Sequence, residues 1–304
     1  MPDAIPSPQK EAPACPGPQS SQRGPNRFKV PRGAVDTHAH VIGLPPHYPF
    51  MPGRSYTPPE ASAKSYLAML DATGMTYGVL TQVSVHGTDN RLLVETLSAN
   101  GQRLRGIAVI PLDCPESERA ALKNAGVVGL RINVLYGGGI GFEQVENYAS
   151  LCKEMGWHLQ FLVDARELPA LSSRLSKLPV PFLVDHMGHF PTSEGVDNEG
   201  FKTLVSLVRD GAWVRLSGAY RNTDEGPTYR STIPFAHKLV EAAPERCVWG
   251  SDWPHVANWG VMMGVSDLLD LLADWVPDEK LRNRILVDNP HRLFGFPAVR
   301  PKEE

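Results

Sequence analysis

The sequence predicts a single-domain (β/α)8 barrel, the TIM-barrel architecture, preceded by a proline-rich N-terminal arm. Eight short apolar runs suited to buried parallel strands recur along the chain, and amphipathic segments at helical spacing separate them. Polar residues able to donate, accept or carry protons follow seven of the eight runs, as expected where barrel strands end at a reaction site. The chain has 304 residues, enough for one such barrel of about 250 residues.

Residues 1–32 are predicted to form the arm. They carry eight of the 28 prolines and almost no apolar periodicity, which is typical of a disordered segment or of one that wraps a surface. No second linker of this kind follows, so we assign residues 33–304 to one barrel domain.

The predicted strands alternate with predicted helices, as a parallel sheet requires. The strands are assigned to residues 34–36, 78–82, 106–110, 129–134, 158–163, 181–185, 212–216 and 247–250. The helices are assigned to residues 63–70, 91–97, 116–122, 142–155, 201–208 and 234–242. A doubly wound open sheet is the competing architecture. That fold normally carries a glycine-rich phosphate loop after its first strand, whereas this chain has two histidines there.

The composition excludes several classes of protein. The chain is 42% hydrophobic and 21% charged with a net charge of −3, so we expect no nucleic-acid partner. No apolar run approaches the roughly 20 residues of a membrane helix, and the N-terminus lacks the pattern of a signal peptide. The cysteines, Cys15, Cys114, Cys152 and Cys247, are too dispersed for a zinc knuckle or a disulfide framework. This predicts a cytoplasmic protein, and we expect a monomer or a homodimer.

Four residues at predicted strand ends have the character of a reaction centre. His38 and His40 follow the first run, and residues two apart in a strand point to the same side. His186 follows the sixth run and Asp252 the eighth. Each alone has an ordinary explanation, such as a satisfied surface histidine or a helix-capping aspartate. The convergence of all four favours a catalytic or metal-binding site.

Several motifs together carry a family resemblance. They are Asp36-Thr-His-Ala-His40, Val184-Asp-His-Met-Gly188 and Trp249-Gly-Ser-Asp-Trp-Pro-His255, with further agreement at residues 54–60, 82–90, 129–133 and 288–293. These motifs resemble those of the amidohydrolase superfamily. The branch is the one that contains 2-pyrone-4,6-dicarboxylate lactonase and related sugar-acid and muconolactone-type lactonases.

The resemblance implies hydrolysis of a lactone at the carboxyl ends of the barrel strands. It assigns catalysis to His38, His40, His186 and Asp252. Asp252 would activate water, and the histidines would polarise the ring carbonyl, directly or through a single zinc or manganese ion held by these four residues. The resemblance assigns substrate binding to Arg131, Arg221, Ser84, Tyr56 and His86. Asn133 and His255, at predicted strand ends, are also predicted to bind substrate.

Two departures from the family pattern bear on cofactor and substrate. The fifth strand offers Gln160, Leu162 and Asp164, without the Lys or His that bridges a second ion, so at most one ion is expected. The pyrone lactonase holds substrate carboxylates with a second basic residue after the fourth-strand arginine and with a tyrosine on the fifth strand. In this chain the first position falls at about Gly137 and the second at about Leu162. With one carboxylate clamp missing, a small lactone with one acidic group fits better than the pyrone dicarboxylate.

Two other functions are compatible with the same residues. One is a decarboxylase or other amidohydrolase that acts on an aromatic or unsaturated acid with one metal ion. The other is a barrel that only binds acids, although the intact set of four residues argues against it. A serine nucleophile is not implied, since the chain has no Gly-x-Ser-x-Gly motif.

Overall fold

The computed structural model describes residues 12–19, 23–137 and 139–297, and its central feature is one eight-stranded parallel sheet. The strands follow one another around the sheet in chain order, as in a TIM barrel. They are β1 (Val35–Ala39), β2 (Tyr77–Thr81), β3 (Leu104–Ala108), β4 (Val127–Asn133), β5 (His158–Leu162), β6 (Phe182–Val184), β7 (Trp213–Leu216) and β8 (Cys247–Trp249). Each overlaps one predicted run, which confirms the predicted fold class.

The segment after β8 closes the barrel against β1. Ala39 forms a parallel bridge with Trp253. The backbone N–H of His40 donates to the Trp253 carbonyl at 2.8 Å, and that of Asp252 donates to the His38 carbonyl at 2.9 Å. Closure of the barrel therefore places Asp252 beside the two histidines of the first strand.

Eleven α-helices lie among the described residues, most of them between successive strands. They are α1 (Ala63–Thr73), α2 (Arg91–Ala99), α3 (Glu116–Ala125), α4 (Val145–Met155), α5 (Leu168–Leu175), α6 (Glu199–Arg209), α7 (Ala219–Asn222), α8 (Ile233–Ala242), α9 (Val265–Trp275), α10 (Glu279–Asn283) and α11 (Asn289–Phe294). The predicted helices correspond to α1–α4, α6 and α8, whereas α5, α7 and α9–α11 are absent from the predicted set. No described helix combines the length and apolar character needed to cross a lipid bilayer.

Residues 12–19 and 23–32 of the predicted arm run along the barrel. Ala14 forms a bridge with Thr57, and its carbonyl accepts from the Trp259 indole N–H at 2.7 Å. Arg23 pairs with Asp267 at 2.8 Å. These segments therefore contact the loops at the carboxyl ends of the strands and helix α9. Residues 1–11 and 20–22 of the predicted arm lie outside the described residues.

The close packing of α1 against β2 gives a stability prediction at Gly78. A Cβ at Gly78 would lie 2.3 Å from the Tyr66 hydroxyl oxygen. Tyr66 is fully buried, and its hydroxyl donates to Asp36 Oδ2 at 3.2 Å. Because Tyr66 cannot move without losing that bond, we expect Gly78→Ala to lower the free energy of unfolding by about 1–3 kcal/mol.

Urea unfolding of Gly78→Ala measures this effect. The matched control is Gly101→Ala, where the nearest atom to the added Cβ would be 3.5 Å away. Equal stability of the two variants would contradict the crowding argument.

Candidate active site

The four predicted reaction-centre residues meet at the carboxyl ends of the strands. The Nε2 atoms of His38 and His40 lie 3.6 and 3.7 Å from Asp252 Oδ1. His186 Nε2 lies 3.8 Å from Asp252 Oδ2. All four residues are buried, and the ring centroid of His38 is 4.9 Å from those of both other histidines. Three imidazoles thus surround one carboxylate.

Unusual backbone geometry aims two of these side chains. His186 and Asp252 have φ angles of 51° and 60°, in the left-handed region that costs free energy for residues with a side chain and recurs at functional sites. Gly218, at φ 63°, leaves room for the imidazole, since a Cβ there would lie 2.8–2.9 Å from His186. The His186 carbonyl accepts from Asn222 Nδ2 at 3.0 Å, which anchors the turn.

A buried arginine of β7 lies beneath the histidines. Arg215 is fully buried. Its Nη1 contacts Asp185 Oδ1 and donates to His38 Nδ1 at 2.9 Å. Its Nε donates to the Thr37 hydroxyl at 3.0 Å, and its Nη2 donates to the Thr37 carbonyl at 2.9 Å and to Gln160 Oε1 at 3.2 Å. Arg215 is absent from the predicted site residues, although a single cation inside an apolar run was a usable signal.

Two side chains that follow β7 hold the outer oxygen of Asp252. The Tyr220 hydroxyl donates to Asp252 Oδ2 at 2.5 Å, and Arg221 Nε donates to the same oxygen at 2.7 Å. Arg221 also donates to the Tyr136 hydroxyl and to the Val256 carbonyl, both at 3.0 Å. These bonds use three of the five N–H groups of the Arg221 guanidinium, and its substrate-binding role stays a prediction. Asp252 Oδ1 has no hydrogen-bond partner within the described residues.

Three of the predicted substrate-binding residues lie near the reaction centre. Arg131, on β4, is buried, and its Nη2 lies 3.7 Å from Asp185 Oδ2. Its Nη1 donates to the Gln82 carbonyl at 3.4 Å, while its buried Nε has no partner in the part of the chain that is described. The hydroxyls of Tyr56 and Ser84 are 2.9 Å apart. Arg131 therefore has a buried Nε available, whereas each guanidinium nitrogen of Arg221 already has one protein acceptor.

Three further predicted substrate-binding residues bond to the backbone of nearby loops. His86 Nδ1 donates to the Pro49 carbonyl at 3.3 Å. His255 Nε2 donates to the Ser251 carbonyl at 3.1 Å. Asn133 Oδ1 accepts from two backbone N–H groups of the following loop at 3.0 and 3.1 Å. Their substrate-binding role stays a prediction, and these contacts give each of them a structural role.

Burial and the arginines set the charge of the site. Burial lowers the pKa of His40 to about 4 and the pKa values of His38 and His186 well below their usual range. Burial alone would raise the pKa of Asp252, but Arg221 foremost, followed by the histidines, holds that pKa well below its usual range. The site therefore combines neutral imidazoles with an ionised carboxylate at neutral pH.

These pKa shifts predict where activity fails in acid. His40 is neutral above a pKa of about 4 and gains a proton, and hence a positive charge, as the pH falls through that value. We expect kcat/KM for the substrate to fall on the acid side with an apparent pKa near 4. A pH–rate profile of the purified enzyme measures it. An acid limb near the ordinary histidine value of about 6.5 would contradict the assigned burial effect.

The predicted single metal ion can be tested against the donor atoms. Two groups, His38–His40–Asp252 and His38–Asp185–His186, have ligand atoms within 4.8 Å of one another, a spacing that could surround an ion. The hydrogen bonds of the His38 ring do not suit a metal ion. Its Nδ1 receives N–H donors from the arginine of β7 and from the Gln160 amide at 3.3 Å. The neutral ring then carries its proton on Nε2, which cannot be a ligand. The predicted four-ligand set therefore does not fit an ion.

The comparison with known protein families identifies the chain. The profile described as Amidohydrolase matches residues 35–296, which includes every strand and all four reaction-centre residues. The chain belongs to the amidohydrolase family. It is therefore an enzyme, and its fold is the (β/α)8 barrel that the sequence predicted.

Two relatives and one crystal structure show which members of the family this chain resembles. The amidohydrolase is 38% identical over 299 residues to a 4-sulfomuconolactone hydrolase of Rhizobium radiobacter, covering 96% of this chain and 99% of that one. It is 34% identical over 281 residues to a 2-pyrone-4,6-dicarboxylate hydrolase of Comamonas testosteroni, covering 88% and 92%. A crystal structure from Acinetobacter baumannii, described as a probable 2-pyrone-4,6-dicarboxylic acid hydrolase with citric acid bound, superposes with a TM-score of 0.78 at 26% identity, covering 87% and 100%.

Proposed function

We propose that this amidohydrolase opens a small lactone that carries one acidic group. The observation that carries the proposal is the cluster of three imidazoles around Asp252, whose Oδ1 has no hydrogen-bond partner among the described residues. Such an arrangement can polarise a carbonyl and activate water side by side. Two relatives with at least 34% identity are named as hydrolases of lactones, which supports the same reaction class.

Asp252 accepts the proton of the attacking water on Oδ1. Tyr220 and Arg221 hold Oδ2, so the carboxylate is fixed while its other oxygen faces the reactants. Water oxygen bonds to the carbonyl carbon, and the resulting oxyanion receives a hydrogen bond from the Nε2–H of His38. One such donor can stabilise the transition state by about 3–4 kcal/mol.

Collapse of the tetrahedral intermediate breaks the ring C–O bond. The leaving oxygen then takes the proton from Asp252. The low pKa of this carboxyl makes its protonated form a strong acid, which favours that return. The products are a carboxylic acid, which releases its proton to solvent, and a hydroxyl or enol on the same chain. No covalent enzyme intermediate is required.

Arg131 is the residue proposed to hold the acidic group of the substrate. Its buried Nε is unpartnered among the described residues, whereas every nitrogen of Arg221 faces a protein acceptor. Arg131 can therefore hold one carboxylate or sulfonate. The lack of a second basic residue near Gly137 favours a monoacidic lactone over a dicarboxylate.

A panel of muconolactone-type, pyrone-type and sugar-acid lactones tests the proposal. Each is offered as its acid and as its neutral methyl ester, with and without a chelator, and ring opening is followed by absorbance and by the uptake of ¹⁸O from water. We expect ¹⁸O-dependent opening of an acidic lactone that survives chelation. Release of carbon dioxide from an aromatic or unsaturated acid, lost on chelation, would instead establish the metal-dependent decarboxylase. Binding of acids without turnover would establish a non-catalytic barrel.

A further inference from the structure

The five N–H groups of Arg215 each have an acceptor, and this count decides where His38 carries its proton. Nε donates to the Thr37 hydroxyl, which itself donates to the Trp249 carbonyl at 2.7 Å. Nη2 donates to the Thr37 carbonyl and to Gln160 Oε1. Nη1 has two hydrogens, one for Asp185 and one for His38 Nδ1. A guanidinium has five donors and no acceptor, so His38 Nδ1 must accept.

We propose that Arg215 is a positioning residue that fixes His38 as the Nε2–H tautomer, so that His38 acts as a hydrogen-bond donor to the substrate carbonyl and not as a metal ligand. The catalytic meaning of this inference rests on the proposed lactone hydrolysis. The tautomer itself follows from the contacts of the Arg215 guanidinium alone.

The amide of Gln160 points to the same tautomer. Its Oε1 is fixed as the acceptor of Arg215 Nη2, so its Nε2 is the amino group. That group donates to Asp185 Oδ2 at 3.0 Å and lies 3.3 Å from His38 Nδ1. A proton on His38 Nδ1 would meet two buried N–H groups, and the unmade hydrogen bonds would cost free energy.

His40 is held in the opposite tautomer. Its Nδ1 lies 2.7 Å from the Thr81 carbonyl oxygen, which can only accept, so the neutral ring carries its proton on Nδ1. Its Nε2 then presents a lone pair 3.7 Å from Asp252 Oδ1. The pair of histidines thus offers one donor and one acceptor around the same carboxylate oxygen.

This asymmetry divides the work of the two rings. The Nε2–H of His38, 3.6 Å from Asp252 Oδ1 and without a hydrogen-bond partner within the described ranges, is free to donate to a carbonyl oxygen. The Nε2 lone pair of His40 suits the second hydrogen of the water that Asp252 activates. Two identical tautomers would leave one of these atoms unsatisfied.

Nitrogen-15 NMR of histidine-labelled, chelator-treated enzyme tests the tautomer directly. The signals of His38 are identified by their loss in His38→Gln. We expect the two-bond couplings of His38 to show a protonated Nε2 and a bare Nδ1, and those of His40 to show the reverse. A protonated Nδ1 on His38 in the wild-type enzyme would overturn the proposal, whatever the activity of the enzyme.

Variants of Arg215 test its positioning role. Arg215→Lys keeps a buried cation with N–H donors, so we expect it to keep the Nε2–H signature. Arg215→Met combined with Asp185→Asn removes both charges together, which avoids stranding one of them. We expect this double variant to lose the Nε2–H signature and to lower kcat by roughly 10²-fold or more, as a wrong tautomer does elsewhere, with KM changed much less.

The outcomes separate the inference from the proposed function. A wild-type enzyme that opens no lactone of the panel contradicts the proposed function, while the NMR signature of His38 still decides the tautomer. Wild-type kcat in the folded double variant would overturn the positioning role. If the double variant does not fold, the single variant Arg215→Met decides: a retained Nε2–H signature there, with its fold intact, would overturn that role.

Discussion

Asp252→Asn is expected to lower kcat for lactone opening by about 10²–10⁴-fold, the usual contribution of a general acid–base group. The amide oxygen of asparagine still accepts hydrogen bonds, so the contacts from Tyr220 and Arg221 to this side chain can largely persist. What is lost is the carboxylate oxygen that takes the proton of water. Because substrate binding does not depend on that step, we expect KM to change by less than about tenfold.

The matched control is Asp210→Asn, an exposed aspartate at the end of α6. Circular dichroism and thermal melting establish that both variants are folded, and steady-state kinetics on the lactone identified in the panel give kcat and KM. Near-normal turnover by Asp252→Asn would show that Asp252 does not accept the proton of water and would contradict the proposed mechanism.

The barrel was predictable because its signals are local. Each strand is a short apolar run, and the carboxyl ends of parallel strands meet at one mouth in any barrel. The proximity of four side chains, His38, His40, His186 and Asp252, could therefore be predicted without any knowledge of the directions in which they point. Of the helices that the prediction missed, α7 shares a connection with a predicted helix and α9–α11 follow the last strand. Helix α5 fills the connection between β5 and β6, for which no helix was predicted.

The partners of each charged group could not be predicted in the same way. Arg215 lies within the run of β7 and acquires its meaning only from Asp185, Gln160 and His38, which come from three other regions of the chain. Arg221 stands at the expected strand end, but its guanidinium is aimed at Asp252. Sequence position gives the end of the barrel at which a side chain lies, whereas its hydrogen-bond partners depend on tertiary packing.

Replacement of Arg131, whose buried Nε has no partner among the described residues, is the second change with a large expected effect on activity. We expect Arg131→Met to lower kcat/KM for the acidic lactone by about 30-fold or more, since removal of one partner of a buried charge pair costs about 2–5 kcal/mol. Methionine approximates the length of the arginine stem but has no N–H donor. Arg131→Lys keeps the charge without the planar fork, so we expect a smaller loss.

The comparison of substrates makes this prediction specific. If Arg131 binds the acidic group, the loss must be confined to acidic lactones, and the neutral methyl ester of the same lactone must react with wild-type and variant enzyme at similar rates. Arg209→Met, at an exposed position at the end of α6, controls for the change in net charge. An equal loss on the acid and on its ester would mean that Arg131 supports the catalytic residues, for instance through Asp185. The acidic group would then have to be held elsewhere, for instance by the second hydrogens of the Arg221 Nη atoms, since the bond from Arg221 to Asp252 uses only Nε.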